Sequence, residues 1–301
     1  MALEPNREAQ ALRLGTAIHA GLEVLYEPTT WNVDRTSIHA LALLAFIKAY
    51  PAPDGDDNWE AEVALGKGML EAYFSWARTE DIGLTPLSVE QKFEVELQLT
   101  WPMLNEPTFY AGRLDAIVQD RHGDYWIMDH KTAGKFDPEE FLVMDEQVTS
   151  YCWAMQHVLG IPIAGFIYNE LRKDVAHPPE VLKNGTLSKN KQQNTTHDLY
   201  LAKIRELGQE PFIYNDILEH LLAQGNKFFR RTFVRRSPRE LQLAGDRIVL
   251  EASDMLNDPS IYPNPDRHCT WCSFKAPCLA RMDGSDYEWI LTENFHKKVD
   301  D

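Results

Sequence analysis

Apolar residues in 6–26 recur at three- and four-residue spacings, at Ala11, Leu12, Leu14, Ile18, Leu22 and Leu25, which predicts an amphipathic helix packing that stripe inward. From Trp31 to Ala77 alanine, leucine and long polar residues predict two or three helices, broken by the punctuating loop Pro51–Asp57. Alternation then replaces helical spacing. Leu87–Trp101 reads as the first long strand, and two arms, Arg113–Asp120 and Tyr125–Lys131, flank a polar turn with one glycine. A loop of Arg121, His122 and Gly123, closed by the glycine in the left-handed conformation, makes those arms a hairpin. This register sets Asp120 opposite Asp124 and Asp115 opposite Asp129. Because side chains alternate along a strand, Asp129 and Lys131 then share a face, and Asp115 joins them there.

Helical spacing returns over Pro138–Leu159, where Gln147 and Tyr151, four apart, lie on one face. Ile161–Glu170 predicts a further strand. Residues 172–196, with little apolar periodicity, two prolines and several lysines, read as an exposed loop, and helices follow over Tyr200–Leu221 and Pro238–Leu256. The expected architecture is one α/β domain over 1–301, a mixed sheet with helices packed on it. It carries a helical insertion over about 31–85, the exposed loop, and a cysteine-rich segment over about 262–282.

With 44% hydrophobic residues the chain has ample material for a core. It lacks an apolar run of membrane-spanning length, and MALEPNREAQ lacks the plan of a signal peptide, so a cytoplasmic protein without membrane attachment is expected. A net charge of −16 opposes nucleic-acid binding globally, but Lys227, Arg230, Arg231, Arg235, Arg236 and Arg239 interleave with aromatics in KFFRRTFVRRSPR. That stretch is a candidate backbone-binding strip.

Opposed carboxylates weaken a hairpin unless something positive sits between them. Asp115 and Asp129 therefore suggest a divalent cation, magnesium or manganese, with Lys131 placed to hold an attacking water or transition-state charge. The cysteines suggest a second metal site: Cys269, Cys272 and Cys278 cluster in CTWCSFKAPC, and thiolates suit zinc or an iron-sulfur cluster.

The series Gly112-Arg113-Leu114-Asp115, Asp129-His130-Lys131 and Gln147 with Tyr151 resembles the PD-(D/E)XK nuclease superfamily in its RecB-like, Cas4-like branch. The resemblance implies that Asp115 and Asp129 bind the metal, that Lys131 is catalytic, and that Gln147 and Tyr151 orient the substrate strand. It further implies that His130 contributes its backbone carbonyl and that His19, in LGTAIHAGLE, joins the metal shell. The cysteine spacing is similar to the 4Fe-4S clamp of Cas4-like nucleases. No cysteine precedes His19, so the fourth ligand stands open between a residue upstream of this sequence, Cys152, and His268 completing a zinc site. The implied activity is metal-dependent exonucleolytic hydrolysis of DNA, on single strands or duplex ends. Trimming of pre-spacer ends in CRISPR adaptation and a catalytically silent DNA-binding module are the alternatives. Oligomeric state is not legible.

Overall fold

A computed structural model of the protein describes residues 3–5, 10–52, 58–99, 107–257, 265–270 and 272–297, with only the backbone described at 10, 11, 267 and 268. The chain runs β1 (Leu3–Pro5), α1 (Gln10–Tyr26), α2 (Arg35–Ala49), α3 (Trp59–Glu80), β2 (Leu84–Leu97), β3 (Thr108–Asp120) and β4 (Tyr125–Ala133). It continues through α4 (Glu139–Val143), α5 (Glu146–Leu159), β5 (Ile163–Arg172), α6 (His197–Glu206), α7 (Asn215–Gln224) and β6 (Phe229–Arg235). Last come α8 (Pro238–Asn257), α9 (Lys275–Asp283), α10 (Tyr287–Asn294) and β7 (Phe295–Lys297).

Five strands form one mixed sheet in the order β2-β3-β4-β5-β6, in which β4 and β5 run parallel and the other neighbours antiparallel. Helices cover both faces. On one, Ala116, Val118, Trp126 and Met128 pack against α1, α2 and α3 through Leu14, Ile18, Leu22, Phe46 and Tyr73. On the other, Ile117, Ile127 and Phe166 pack against α5 and α8 through Val148, Cys152, Met155 and Ile248. Apolar burial on both faces makes the central strands nearly continuously hydrophobic and fixes their register. Leu12 is an exception to the expected inward stripe: it is 58% exposed, because two positions from Leu14 lies nearly across the helix. The side chain of Ala11, residues 53–57 of the acidic loop, and Thr100 and Trp101 of the expected first strand lie outside the described residues.

The hairpin register is the expected one, with Ala116 opposite Met128 and Gln119 opposite Tyr125. Gly123 holds the turn at φ 86°, and its N–H donates to Asp120 O at 3.0 Å. β2 lies along β3 throughout.

The segment 172–196 lies largely at the surface, with twelve residues exposed and four buried, and is pinned at a few points. Leu187 is 1% exposed and joins Tyr200, Ile204, Tyr214, Ile217 and Leu221 of α6, α7 and the intervening 3-10 turn Pro211–Tyr214 in a third apolar cluster. A short bridge pairs Val181 with Leu187, and Tyr214 Oη accepts from Leu187 N at 3.1 Å. Its polar composition hides a few anchoring apolar residues. The N- and C-terminal parts of the chain meet in a two-stranded sheet, β1 with β7.

Candidate active site

The site forms where β3 and β4 part. Their ladder ends at Ala116 and Met128, and beyond it Asp115 Oδ2 accepts a 2.6 Å hydrogen bond from the backbone N–H of His130. β3 is irregular at this level. Leu114 and Ile117 pack in the same layer although strict alternation would separate them, so the strand changes face around Asp115. The neighbouring strand is distorted at the same height, where Glu90 of β2 has φ 47° between Val89, opposite Ala116, and Gln91, opposite Leu114. A non-glycine residue in that region carries strain that the surroundings must sustain, and such strain gathers at functional sites.

Helix α1 supplies the other wall. Gly15 lets it sit close to β4, since a Cβ there would come within 3.1 Å of Thr132 Oγ1. One turn on, His19 Nδ1 lies 3.5 Å from Asp115 Oδ1. Burial alone would lower the His19 pKa, but Asp115, Asp129 and Glu90 raise it overall. Asp115 is itself strongly depressed, because bonds and charge from His19 and His130 outweigh its burial. Asp129 goes the other way: burial, reinforced by the charge of Asp115, holds it above the ordinary carboxylate range against the pull of Lys131. Two neighbouring carboxylates whose environments drive them apart are a site with unmet positive-charge demand.

Lys131 Nζ lies 2.9 Å from Asp129 Oδ2. Among the described residues Asp129 Oδ2 has no hydrogen-bond partner other than this ammonium. Lys131 is raised above the usual ammonium range, its burial being outweighed by Asp129, Asp115 and Asp145, so it is held protonated. Among the described residues no three His, Cys, Asp or Glu side chains are gathered to ligate one ion. Magnesium and manganese do not need three, because hard cations settle on one or two carboxylates and keep their waters. Asp129 and the charged Asp115 fit that donor set.

Gln147 and Tyr151 share the expected face of α5, with Gln147 Nε2 donating to Tyr151 Oη at 3.1 Å. Asp145 caps this helix, accepting from Gln147 N at 2.9 Å. Both side chains line a cleft of about 610 Å³ with Phe109, Tyr110 and Arg247.

The basic strip is β6, and it is not an open surface. Arg231 is 2% exposed and bonded to Asp81 at 2.8 Å, Tyr26 at 2.9 Å and Tyr73 at 3.0 Å. Arg236 is buried, donating to Thr149 Oγ1 and Val143 O. Arg230 forks onto both carboxylate oxygens of Glu170 at 2.6 and 2.9 Å, while Arg235 is exposed and pairs with Asp124. Arg231 and Arg235 share a face of β6, so position along the strand separates them: Arg231 lies mid-strand against Tyr26, Tyr73 and Asp81, whereas Arg235 ends the strand in solvent.

Cys269, Cys272 and Cys278 are free thiols around α9. Cys152 belongs to the α5 core, fully buried, with its thiol pushed up to about 12 by burial. The side chain of His268 lies outside the described residues.

The sequence does not disclose the polar layer beneath His130, made by Tyr26, Tyr73, Asp81, Asn169 and Arg231. Five separate elements contribute to it, and only the parallel pairing of His130 with Asn169 would have pointed to it.

A mixed sheet with helices on both faces thus presents two carboxylates and a lysine where two of its strands part. The chain belongs to the PD-(D/E)XK nuclease superfamily, whose family model matches residues 2–279. No curated protein matches the sequence. Among solved structures, that of SSO0001 is similar over 90% of this chain and 95% of that chain, at 12% identity and a TM-score of 0.36. No described helix is long and apolar enough to cross a membrane.

Proposed function

We propose that the protein is a magnesium- or manganese-dependent deoxyribonuclease that trims DNA from its ends. The observation that carries the reading is the grouping of Asp115, Asp129 and Lys131: Asp129 Oδ2 is buried, met only by the Lys131 ammonium among the described residues, and its carboxyl is held above the ordinary range in part by the charge of Asp115. Asp115 and Asp129 would hold the cation, with His19 and the His130 carbonyl completing its surroundings. When bound, the cation supplies Lewis-acid charge to the phosphoryl oxygens and acidifies water. Lys131, charged at neutral pH, orients the attacking water or holds a non-bridging oxygen as negative charge grows. Gln147 and Tyr151 seat the strand beside the scissile phosphate. Arg235 and Arg239 are the exposed members of the basic run and the ones open to the DNA backbone.

The preference for DNA and for ends rests on the resemblance of the motif series to the RecB-like and Cas4-like branch. The thiols of Cys269, Cys272 and Cys278 would provide three ligands of an iron-sulfur or zinc site with a structural role near the C-terminus. The test of the activity is incubation of end-labelled linear and covalently closed circular DNA with magnesium, manganese or chelator. Loss of linear DNA alone, and only with metal, is expected. Equal cleavage of circles overturns the end requirement, and persistence of every substrate with every metal overturns the nuclease reading.

A further inference from the structure

Beneath the site lies a buried polar network whose hydrogen-bond directions are forced. Arg231 can only donate, and its Nε and Nη2 point at Asn169 Oδ1 at 3.3 and 3.1 Å. The Asn169 amide oxygen therefore faces the guanidinium and its NH2 faces away. That NH2 donates one hydrogen to Tyr73 Oη at 2.8 Å and the other to His130 Nδ1 at 2.7 Å. A flipped amide would set its NH2 against the guanidinium donors. The tyrosines close the arrangement: Tyr26 donates to Asp81 Oδ1 at 2.9 Å, leaving Tyr73 to donate to Tyr26 at 2.6 Å. Asn169 and Tyr73 are fully enclosed and His130 is 2% exposed, so no solvent hydrogen bond competes.

The same residue reaches the metal site through its backbone. His130 N donates to Asp115 Oδ2 at 2.6 Å, and His130 lies between Asp129 and Lys131. Its ring is wedged against Tyr26 at 5.3 Å between centroids and against His19 at 5.9 Å. Asn169, Tyr26 and His19 thus hold the ring of the residue whose peptide N–H holds Asp115.

We propose that Asn169 and Arg231 are positioning residues for the metal site: Arg231 sets the Asn169 amide, and Asn169 fixes the His130 ring in the Nε2–H tautomer. The fixed ring holds the peptide that orients Asp115. Neither residue touches substrate or metal. The assignment rests on the metal-nuclease reading for its purpose, but not for its geometry.

The experiment uses the full chain labelled with 15N-histidine, whose ten imidazoles are read by long-range proton–nitrogen correlation, His130 being the signal lost in His130→Gln. In the unsubstituted protein Nδ1 of His130 is expected bare and Nε2 protonated. Asn169→Asp keeps the shape and the acceptor for Arg231 but removes the donor, so the proton should move to Nδ1. Binding of Mn2+, followed by the paramagnetic resonance of the free ion, should weaken about tenfold or more, the usual loss when an outer partner of a metal site is changed. A merely structural Asn169 would lower thermal stability and leave both readouts unmoved, which overturns the proposal. A proton on Nδ1 in the unsubstituted protein overturns it too, without any variant having to fold. Mn2+ binding and tautomer as expected, with no DNA cleavage, would uphold the positioning role and remove the nuclease function. Metal-dependent cleavage with the opposite tautomer would do the reverse.

Discussion

Replacing Asp129 by asparagine should stabilise the metal-free protein while abolishing its activity. The carboxylate is buried, is met at Oδ2 only by Lys131 among the described residues, and is pushed above its ordinary pKa by burial and by Asp115. Each unit of upward displacement means about 1.4 kcal/mol by which the ionised form disfavours the fold. Asparagine, of the same shape, removes that cost. The displacement is what remains after the pull of Lys131, so the loss of that pairing is already contained in it. The net expectation at neutral pH is a gain on the order of 1–2 kcal/mol, or a few degrees in Tm for a chain of this size. The sign with pH follows from linkage. A carboxyl whose folded pKa is raised keeps its stability below the unfolded value and loses it as pH rises through the folded one. The advantage of Asp129→Asn should thus be full at pH 7.5 and disappear toward pH 4. Saturating magnesium should narrow or reverse it, because only the unsubstituted site binds the ion well, and a ligand at a hundred times its Kd adds about 2.7 kcal/mol. The assay is thermal unfolding with chelator and with magnesium across that pH range. A variant less stable than the parent in chelator at pH 7.5, or an advantage that persists at pH 4, would refute the electrostatic reasoning.

The raised pKa of Asp129 also sets proton against metal, so the magnesium concentration giving half-maximal cleavage should rise as pH falls through the Asp129 titration, about tenfold per unit for one displaced proton. Kinetics at fixed DNA over a pH and magnesium grid would show it. Arg231→Met breaks a buried ion pair with Asp81 and should cost about 3–5 kcal/mol in urea unfolding. Arg235→Glu, on the exposed end of β6, should leave unfolding within about 0.5 kcal/mol and weaken DNA binding in a salt-dependent way. Leu187→Ala removes the anchor of the segment between β5 and β6 and should cost about 2–5 kcal/mol, with limited proteolysis cutting there first.

Much of the fold follows from local pattern because its determinants are local. Leu14, Ile18, Leu22 and Leu25 recur on one helix face and are all buried, and Gly123 with its flanking alternation sets the register that brings Asp115 level with Asp129. The site's reactive groups lie on two adjacent strands and are legible for the same reason. What was not legible is long-range. Arg231 reads as a surface cation in KFFRRTFVRR, and only its meeting with Asp81, 150 positions away, turns it into core. Leu187 reads as loop until the side chains of α6 and α7 arrive around it. The switch of faces around Asp115 and the strained Glu90 break the alternation rule, and a rule cannot announce its own exception.

The central claim is that Lys131 acts on the reaction and the two aspartates hold the cation. We would measure Mn2+ binding and single-turnover cleavage of end-labelled linear DNA together, for the unsubstituted protein, Lys131→Ala and Asp115→Asn. The account predicts that Lys131→Ala still binds Mn2+ and loses at least about a hundredfold in cleavage, as expected for a lost charge stabiliser, whereas Asp115→Asn loses both. Cleavage by Lys131→Ala at the unsubstituted rate, or unchanged Mn2+ binding by Asp115→Asn, would contradict it.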